Sequence, residues 1–213
     1  MPFINILFLS MNNLNHFYTI ENEAVAEYKD RGSKFQAYAF PIATADDFKG
    51  RLKTLKEEHP KAAHHCFAYR IGTDGNNFRS GDDGEPAGSA GKPILGQLDG
   101  KRLCNAAIVV VRYFGGTLLG VPGLINAYKM VSSLALQLTP IVQKQVLQNY
   151  QLEFDYTMMN EVMLLIKKFG CAIIENETLL FCQMKIGVAK ETEAACIEKL
   201  SNLDGLNVRQ VKP

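Results

Sequence analysis

Apolar positions along the chain change their spacing several times, and each change marks an element. Around the turn Asp30-Arg31-Gly32-Ser33, residues Ala24 to Tyr28 and Lys34 to Phe40 cluster β-formers and predict a hairpin-like pair of strands. From Asp46 to Glu58 the spacing becomes helical, with Phe48, Leu52 and Leu55 on one face, Thr44 as N-cap and Pro60 as the stop. Cys66 to Ile71 reads as a strand running into Gly72-Thr73-Asp74-Gly75-Asn76-Asn77, a stretch of turn chemistry throughout. Pro93 to Leu103 predicts a short helix, and Ala106 to Val111, the most apolar run of this half, predicts a buried strand. A long helix follows, with Leu124, Tyr128, Val131, Leu134, Ala135 and Leu138 on one face and Pro140 beyond its end.

After Ile141 the pattern changes. Val146 to Tyr156 predicts a strand, Met159 to Phe169 a helix stopped by Gly170, and Cys171 to Ile174 and Leu179 to Val188 two strands separated by Glu175-Asn176-Glu177-Thr178. Glu191 to Leu203 predicts a second helix and Leu206 to Val211 a last strand. The order β-α-β-β-α-β is ferredoxin-like. The expected class is therefore α+β in two domains: residues 18–140 as a mixed domain, 141–213 as a ferredoxin-like domain, and a linker between Thr139 and Lys144. Tyr150, Phe154 and Tyr156 share strand parity and are expected in the core rather than as a base-stacking platform.

Composition adds limits. Lys and Arg number 23 against 22 Asp and Glu, so a net charge of +1 gives no bulk attraction to nucleic acid or to an anionic membrane, and any such binding needs a local patch. The five cysteines are odd in number, show no C-x-x-C spacing, and fit a reducing cytoplasm. Phe3 to Leu9 is apolar, but no Lys or Arg precedes it, so it does not read as a secretion signal. Residues 1–17 are expected to be an N-terminal extension without fixed structure, and Met11 offers an alternative start. No run reaches the ~20 apolar residues of a membrane span.

Two glycine-rich stretches carry the candidate chemistry. SGDDGEPAGSAGKP, Ser80 to Pro93, suggests a phosphate loop, but the required first glycine falls on Pro86 and Pro93 stands where a hydroxyl is needed. Its carboxylates Asp82, Asp83 and Glu85 read either as acid, base or cation ligands or as solvated turn residues, with Gly88, Ser89 and His65 beside them as site wall. The second stretch follows the buried strand. Arg112, Tyr113, Gly115, Gly116, Gly120 and Gly123 lead into a helix N-terminus, where freed backbone N–H groups and an arginine fork suit an anion, with Lys129 and Lys92 as secondary charges. The plainer reading is that the glycines turn the chain and the aromatics pack. His64-His65-Cys66 cannot place both histidines on one site of a strand, and no second ligand cluster exists, so no metal and no cofactor are expected.

The segments Ala63-His64-His65-Cys66-Phe67-Ala68-Tyr69-Arg70, Asp82-Asp83-Gly84-Glu85-Pro86-Ala87-Gly88-Ser89-Ala90-Gly91 and Arg112-Tyr113-Phe114-Gly115-Gly116-Thr117-Leu118-Leu119-Gly120 together resemble the YigZ/IMPACT family, over nearly the whole chain from Tyr18. The resemblance implies an N-terminal domain like the second domain of a small-subunit ribosomal protein and elongation factor G domain IV. It also implies a ferredoxin-like C-terminal domain. Eukaryotic members are translational regulators that compete for the activator of a starvation-sensing kinase, and nucleic-acid or ribosome binding is the usual proposal for bacterial ones. Three positions depart from the family pattern: Val111 stands where Thr is common, Pro122-Gly123 where a glycine pair is common, and Asn126 where Arg is common. The expectation is thus a translation-associated regulator in the cytoplasm that binds RNA or the ribosome through the edge containing Arg112. The alternatives are a hydrolase acting on a phosphorylated or peptide-like substrate through Asp82, Asp83 or Glu85, and a regulator that binds another protein.

Overall fold

A computed structural model describes residues 15–74, 76–178 and 181–211, which divide into two compact units, the first from Phe17 to Lys144 and the second from Gln145 onward together with residues 15–16. Residues 1–14 of the expected N-terminal extension lie outside the described residues, whereas its last residues already enter strand β1 (His16–Ile20).

The first unit is a five-stranded antiparallel sheet. Its strands β2 (Ala24–Asp30), β3 (Ser33–Pro41), β4 (His64–Ile71), β5 (Asn77–Gly81) and β6 (Ala106–Tyr113) lie in the order β2-β3-β6-β4-β5. The Ala-Ile-Val run takes the centre because β-branched side chains suit a strand buried on both faces, and every residue from Ala106 to Val111 is fully buried. Alternation then sorts the sheet. Phe35, Ala37, Cys66, Ala68, Ile108 and Val110 join one core with helices α2 (Gly91–Gly100) and α3 (Gly120–Gln137). Tyr38, Phe40, Phe67, Tyr69, Val109 and Val111 join another with helix α1 (Ala45–Glu58). That helix starts on a reciprocal cap, the Thr44 hydroxyl accepting from the Asp47 N–H while the Asp47 carboxylate accepts from the Thr44 N–H. Leu138, expected on the buried face of α3, stands past the helix end and is 65% exposed.

The expected linker contains a strand. β7 (Ile141–Gln145) pairs with β1, a pairing that local spacing misses because each strand is only five residues long and the partners lie at opposite ends of the unit. β5 likewise takes in Ser80 and Gly81 of the expected glycine-rich loop, being five residues long and held by its pairing with β4.

The second unit carries β8 (Leu147–Phe154), α4 (Met159–Phe169), β9 (Ala172–Thr178), β10 (Cys182–Ala189), α5 (Glu193–Ser201) and β11 (Asn207–Val211). Its antiparallel sheet has the order β11-β8-β10-β9, the ferredoxin-like arrangement. Tyr150, Leu152 and Phe154 pair with Ile186, Met184 and Cys182 and are buried with Val162, Ile166, Cys196 and Leu200. Glu175 to Thr178, expected as a turn, extends β9, because cross-strand pairing overrides the weak strand propensity of Glu and Asn. Tyr156 has left the strand and is exposed. No helix among the described residues is long and apolar enough to cross a membrane.

One contact fixes the end of the first sheet. Gly32 (φ 80°) and Gly115 approach backbone to backbone, and a Cβ on Gly115 would lie 1.9 Å from the Gly32 carbonyl carbon. Gly115→Ala is expected to destabilise the protein by at least about 3 kcal/mol in urea denaturation, since backbone must move to admit the methyl group. Gly96→Ala, in α2 where a Cβ meets nothing within 4 Å, should instead stabilise by about 0.5–1 kcal/mol.

Candidate functional site

Strand parity separates the polar residues at the end of β6. Arg112 has the parity of Ile108 and Val110 and lies beneath α3, whereas Tyr113 has that of Val109 and Val111 and faces α1. In register, Arg112 stands between Phe35 of β3 and His64 of β4. Its guanidinium lies over the rings of Phe35 (5.3 Å) and Phe114 (5.7 Å).

Arg112 is only 5% exposed and therefore needs an anion inside the protein. The loop after β5 supplies Glu85, itself buried, whose Oε1 accepts from Arg112 Nη1 at 2.6 Å and from the Tyr128 hydroxyl of α3 at 2.7 Å. Ser33 Oγ lies 3.4 Å from Arg112 Nη2 and accepts the Gly115 N–H at 3.2 Å. Cys66 Sγ lies 3.3 Å from Tyr128 Oη and 2.9 Å from the Asp82 carbonyl. Burial pushes the Cys66 thiol up to about 12, which leaves almost no thiolate for nucleophilic chemistry at neutral pH, and burial raises Tyr128 as well.

Glu85 is held in place by a loop with its own frame. The Asp82 carboxylate accepts the N–H groups of Gly88 (2.8 Å), Ala90 (3.0 Å) and Gly91 (2.8 Å), closing the loop and satisfying the N-terminus of α2, whose N-cap Ala90 has no side-chain oxygen to offer. Burial alone would push the Asp82 carboxyl up, but these three N–H groups and the nearby Lys92 charge outweigh it and hold the group below the ordinary carboxylate value. Asp83, at φ 42°, accepts the His65 N–H at 2.7 Å, with Lys56 at 3.6 Å. His64 Nδ1 lies 2.7 Å from the Asp83 carbonyl and so carries the proton there, which turns Nε2 towards Glu85 at 3.9 Å.

Glu85, Arg112 and His64 line a cleft of about 470 Å³ whose remaining walls are apolar: Ala63, Pro86, Phe114, Leu118, Leu119, Gly120, Val121 and Leu124. Phe114, Leu118 and Val121 are 52%, 81% and 46% exposed, an unusual display of large apolar side chains on one rim.

The structure brings Arg112, Glu85 and Gly120 to this cleft and sends other expected residues elsewhere. Arg112 does not stand free for a phosphate, because Glu85 already answers its charge. Tyr113 and His65 have the opposite parity: the Tyr113 hydroxyl lies 2.8 Å from His59 Nδ1, and burial holds the pKa of His65 down against the pull of Asp83. Gly116 and Gly120 have φ of 84° and 71°, conformations that account for glycine at both positions, and Gly123 packs on Leu119. Lys92 runs alongside Gly88, Lys129 is exposed on α3, and Ser89 is wholly buried. Asp82, Asp83 and Gly88 serve the loop frame. Sequence spacing missed Ser33, Phe35 and Tyr128; the available signal was a tyrosine on an otherwise aliphatic helix face. Among the described residues, no three His, Cys, Asp or Glu side chains are grouped to hold a metal ion.

A family model described as the Impact N-terminal domain matches residues 31–136. An IMPACT family member of Haemophilus influenzae is 34% identical over 187 residues, covering 86% of this chain and 91% of that protein. The IMPACT family member YigZ of Escherichia coli is 35% identical over 156 residues, covering 72% and 76%. A crystal structure of a hypothetical protein superposes with a TM-score of 0.73 at 28% identity, covering 93% of this chain and 98% of that one.

Two outcomes follow from this geometry. Glu85→Gln should cost about 3–5 kcal/mol in urea denaturation by leaving the Arg112 charge buried and unpaired, and Glu85→Leu combined with Arg112→Met should recover much of that loss. Because folding lowers the Asp82 pKa, its contribution is complete above the ordinary carboxylate range and declines as pH falls through that range towards the lower folded-state value. Asp82→Asn should therefore lower Tm at pH 7 and flatten the acid limb of a Tm-versus-pH series.

Proposed function

The chain belongs to the IMPACT family, and from that premise we propose that it is a translation-associated regulatory protein that acts by binding, with the cleft beside Arg112 docking onto a protein surface of the ribosome. The family resemblance supports the link to translation, since its eukaryotic members are translational regulators. The observation that carries the mode of binding is the apolar rim of Phe114, Leu118 and Val121 around a charge pair that is already neutralised.

Phosphate recognition by an arginine needs a guanidinium free to reach the backbone of the nucleic acid. Here the guanidinium is held by Glu85, covered by two aromatic rings, and lies at the end of a strand beneath α3. The surface left for a partner is mostly carbon, and what an apolar rim gains on association is area removed from water, a gain that salt scarcely screens. Arg112 then acts indirectly, by setting where Glu85 and Phe114 stand. The near-zero net charge of the chain agrees with recognition by shape and apolar contact rather than long-range attraction.

Co-sedimentation with purified ribosomes through a sucrose cushion, over a series of salt concentrations, tests the reading. The expected result is association with a shallow salt dependence, weakened at least about tenfold by Leu118→Asp, a substitution at an 81% exposed position that should leave Tm nearly unchanged. Equal binding to protein-free ribosomal RNA with a steep salt slope would favour a phosphate contact instead. Absence of association with ribosomes would remove the proposal.

A further inference from the structure

The second unit holds two sulfur atoms in contact that the cleft of the first unit does not involve. Cys171 is positioned by the end of α4. Gly170 takes the left-handed conformation (φ 63°, ψ 32°), and the chain folds back so that the Cys171 N–H donates to the Ile166 carbonyl at 2.9 Å. Cys196 is positioned by the start of α5, its N–H donating to the Thr192 carbonyl at 2.9 Å. Two separate helix ends thus bring Cys171 Sγ to 3.5 Å from Cys196 Sγ, across 25 residues of chain. A disulfide needs about 2.05 Å, a closure of about 1.5 Å. Cys196 is fully buried while Cys171 is partly exposed, so Cys171 is the thiol nearer to solvent.

We propose that Cys171 and Cys196 are a redox modification site, at which hydrogen peroxide converts the two thiols into a reversible disulfide that ties the end of α4 to α5. The Cys171 thiolate attacks one oxygen of the peroxide, the O–O bond breaks, and sulfenic acid forms as the other oxygen leaves as water after taking up a proton. The Cys196 thiolate then attacks the Cys171 sulfur, the S–S bond forms, the S–O bond breaks, and the oxygen leaves as a second water. Two thiols lose two electrons and two protons, and hydrogen peroxide is reduced to two molecules of water.

The geometry also sets the rate. Burial holds both thiols above their ordinary value, Cys196 at about 12, so the thiolate fraction is small at neutral pH and oxidation is slow. The site responds to sustained exposure and not to a brief pulse. Cys66, by contrast, has Tyr128 and the Asp82 carbonyl beside its sulfur, a setting that offers no second thiol for a cross-link.

The full chain, incubated with hydrogen peroxide, alkylated, unfolded and digested with trypsin, gives the direct test. The expected product joins the peptide of residues 191–199, which contains Cys196, to that of residues 169–185, with fragmentation placing the bond on Cys171 and the alkyl group on Cys182. Tm should rise on oxidation, because the link restricts the unfolded chain, and fall back on treatment with dithiothreitol. Neither change should occur in Cys171→Ser or Cys196→Ala. A bond through Cys182, over-oxidation of Cys171 without a cross-link, or complete alkylation of both thiols would each overturn the proposal. The peptide map uses the unsubstituted protein, so it decides even if both variants fold poorly.

Discussion

The buried pair of Glu85 and Arg112 is the interaction around which the first unit is arranged. Removing two charges from water is costly, and their mutual attraction offsets that cost only when the geometry is tight and the remaining valences are satisfied. Each requirement recruits a different part of the chain. Tyr128 ties α3 to the carboxylate, Ser33 ties the β2–β3 turn to the guanidinium, and Asp82 holds the loop so that Glu85 arrives at the right height. An apolar pair would fill the same space, but it would not oblige three distant segments to meet at one point.

Much of the fold was legible because it follows from periodicity. The central strand, the capped helix at Thr44 and the α4 stop at Gly170 were readable from a few adjacent residues each. β1, β5 and β7 were not, since each is short and depends on a partner far away in the chain. The site was legible in composition and misread in arrangement. Both glycine motifs are visible in the sequence, and Arg112 and Glu85 do come together, but the sequence reading assigns Arg112 to an anion site and Glu85 to acid–base chemistry or a solvated turn, not to each other. Alternation along β6, counted through to its end, would have placed Arg112 under α3 and Tyr113 on the other face. That Glu85 is its partner could not be counted, because the loop after β5 is closed by three backbone N–H groups that donate to one carboxylate, that of Asp82.

The two units use polar chemistry differently. The first confines its charge pair beside an apolar cleft, so that a partner meets hydrocarbon and contour while the charges keep the contour in shape. The second has a core of hydrocarbon and sulfur with the Tyr150 hydroxyl at its margin, and sulfur is the atom there that can change its bonding without leaving its place.

The glycine crossing at Gly32 and Gly115 carries a further consequence for how the chain finds this sheet. Lys34 pairs with Tyr113, and two steps further along the same pairing brings the two glycines together. If β3 slid by one residue against β6, Arg31 or Ser33 would occupy the place of Gly32, where a Cβ would stand 2.8 Å from the Gly115 carbonyl oxygen and the backbone would have to shift. A misaligned β3–β6 pair is therefore rejected by steric exclusion at its end, whereas the small alanines and valines along its length discriminate weakly between alignments. The crossing acts as proofreading during assembly, and it keeps that role regardless of what the finished protein binds.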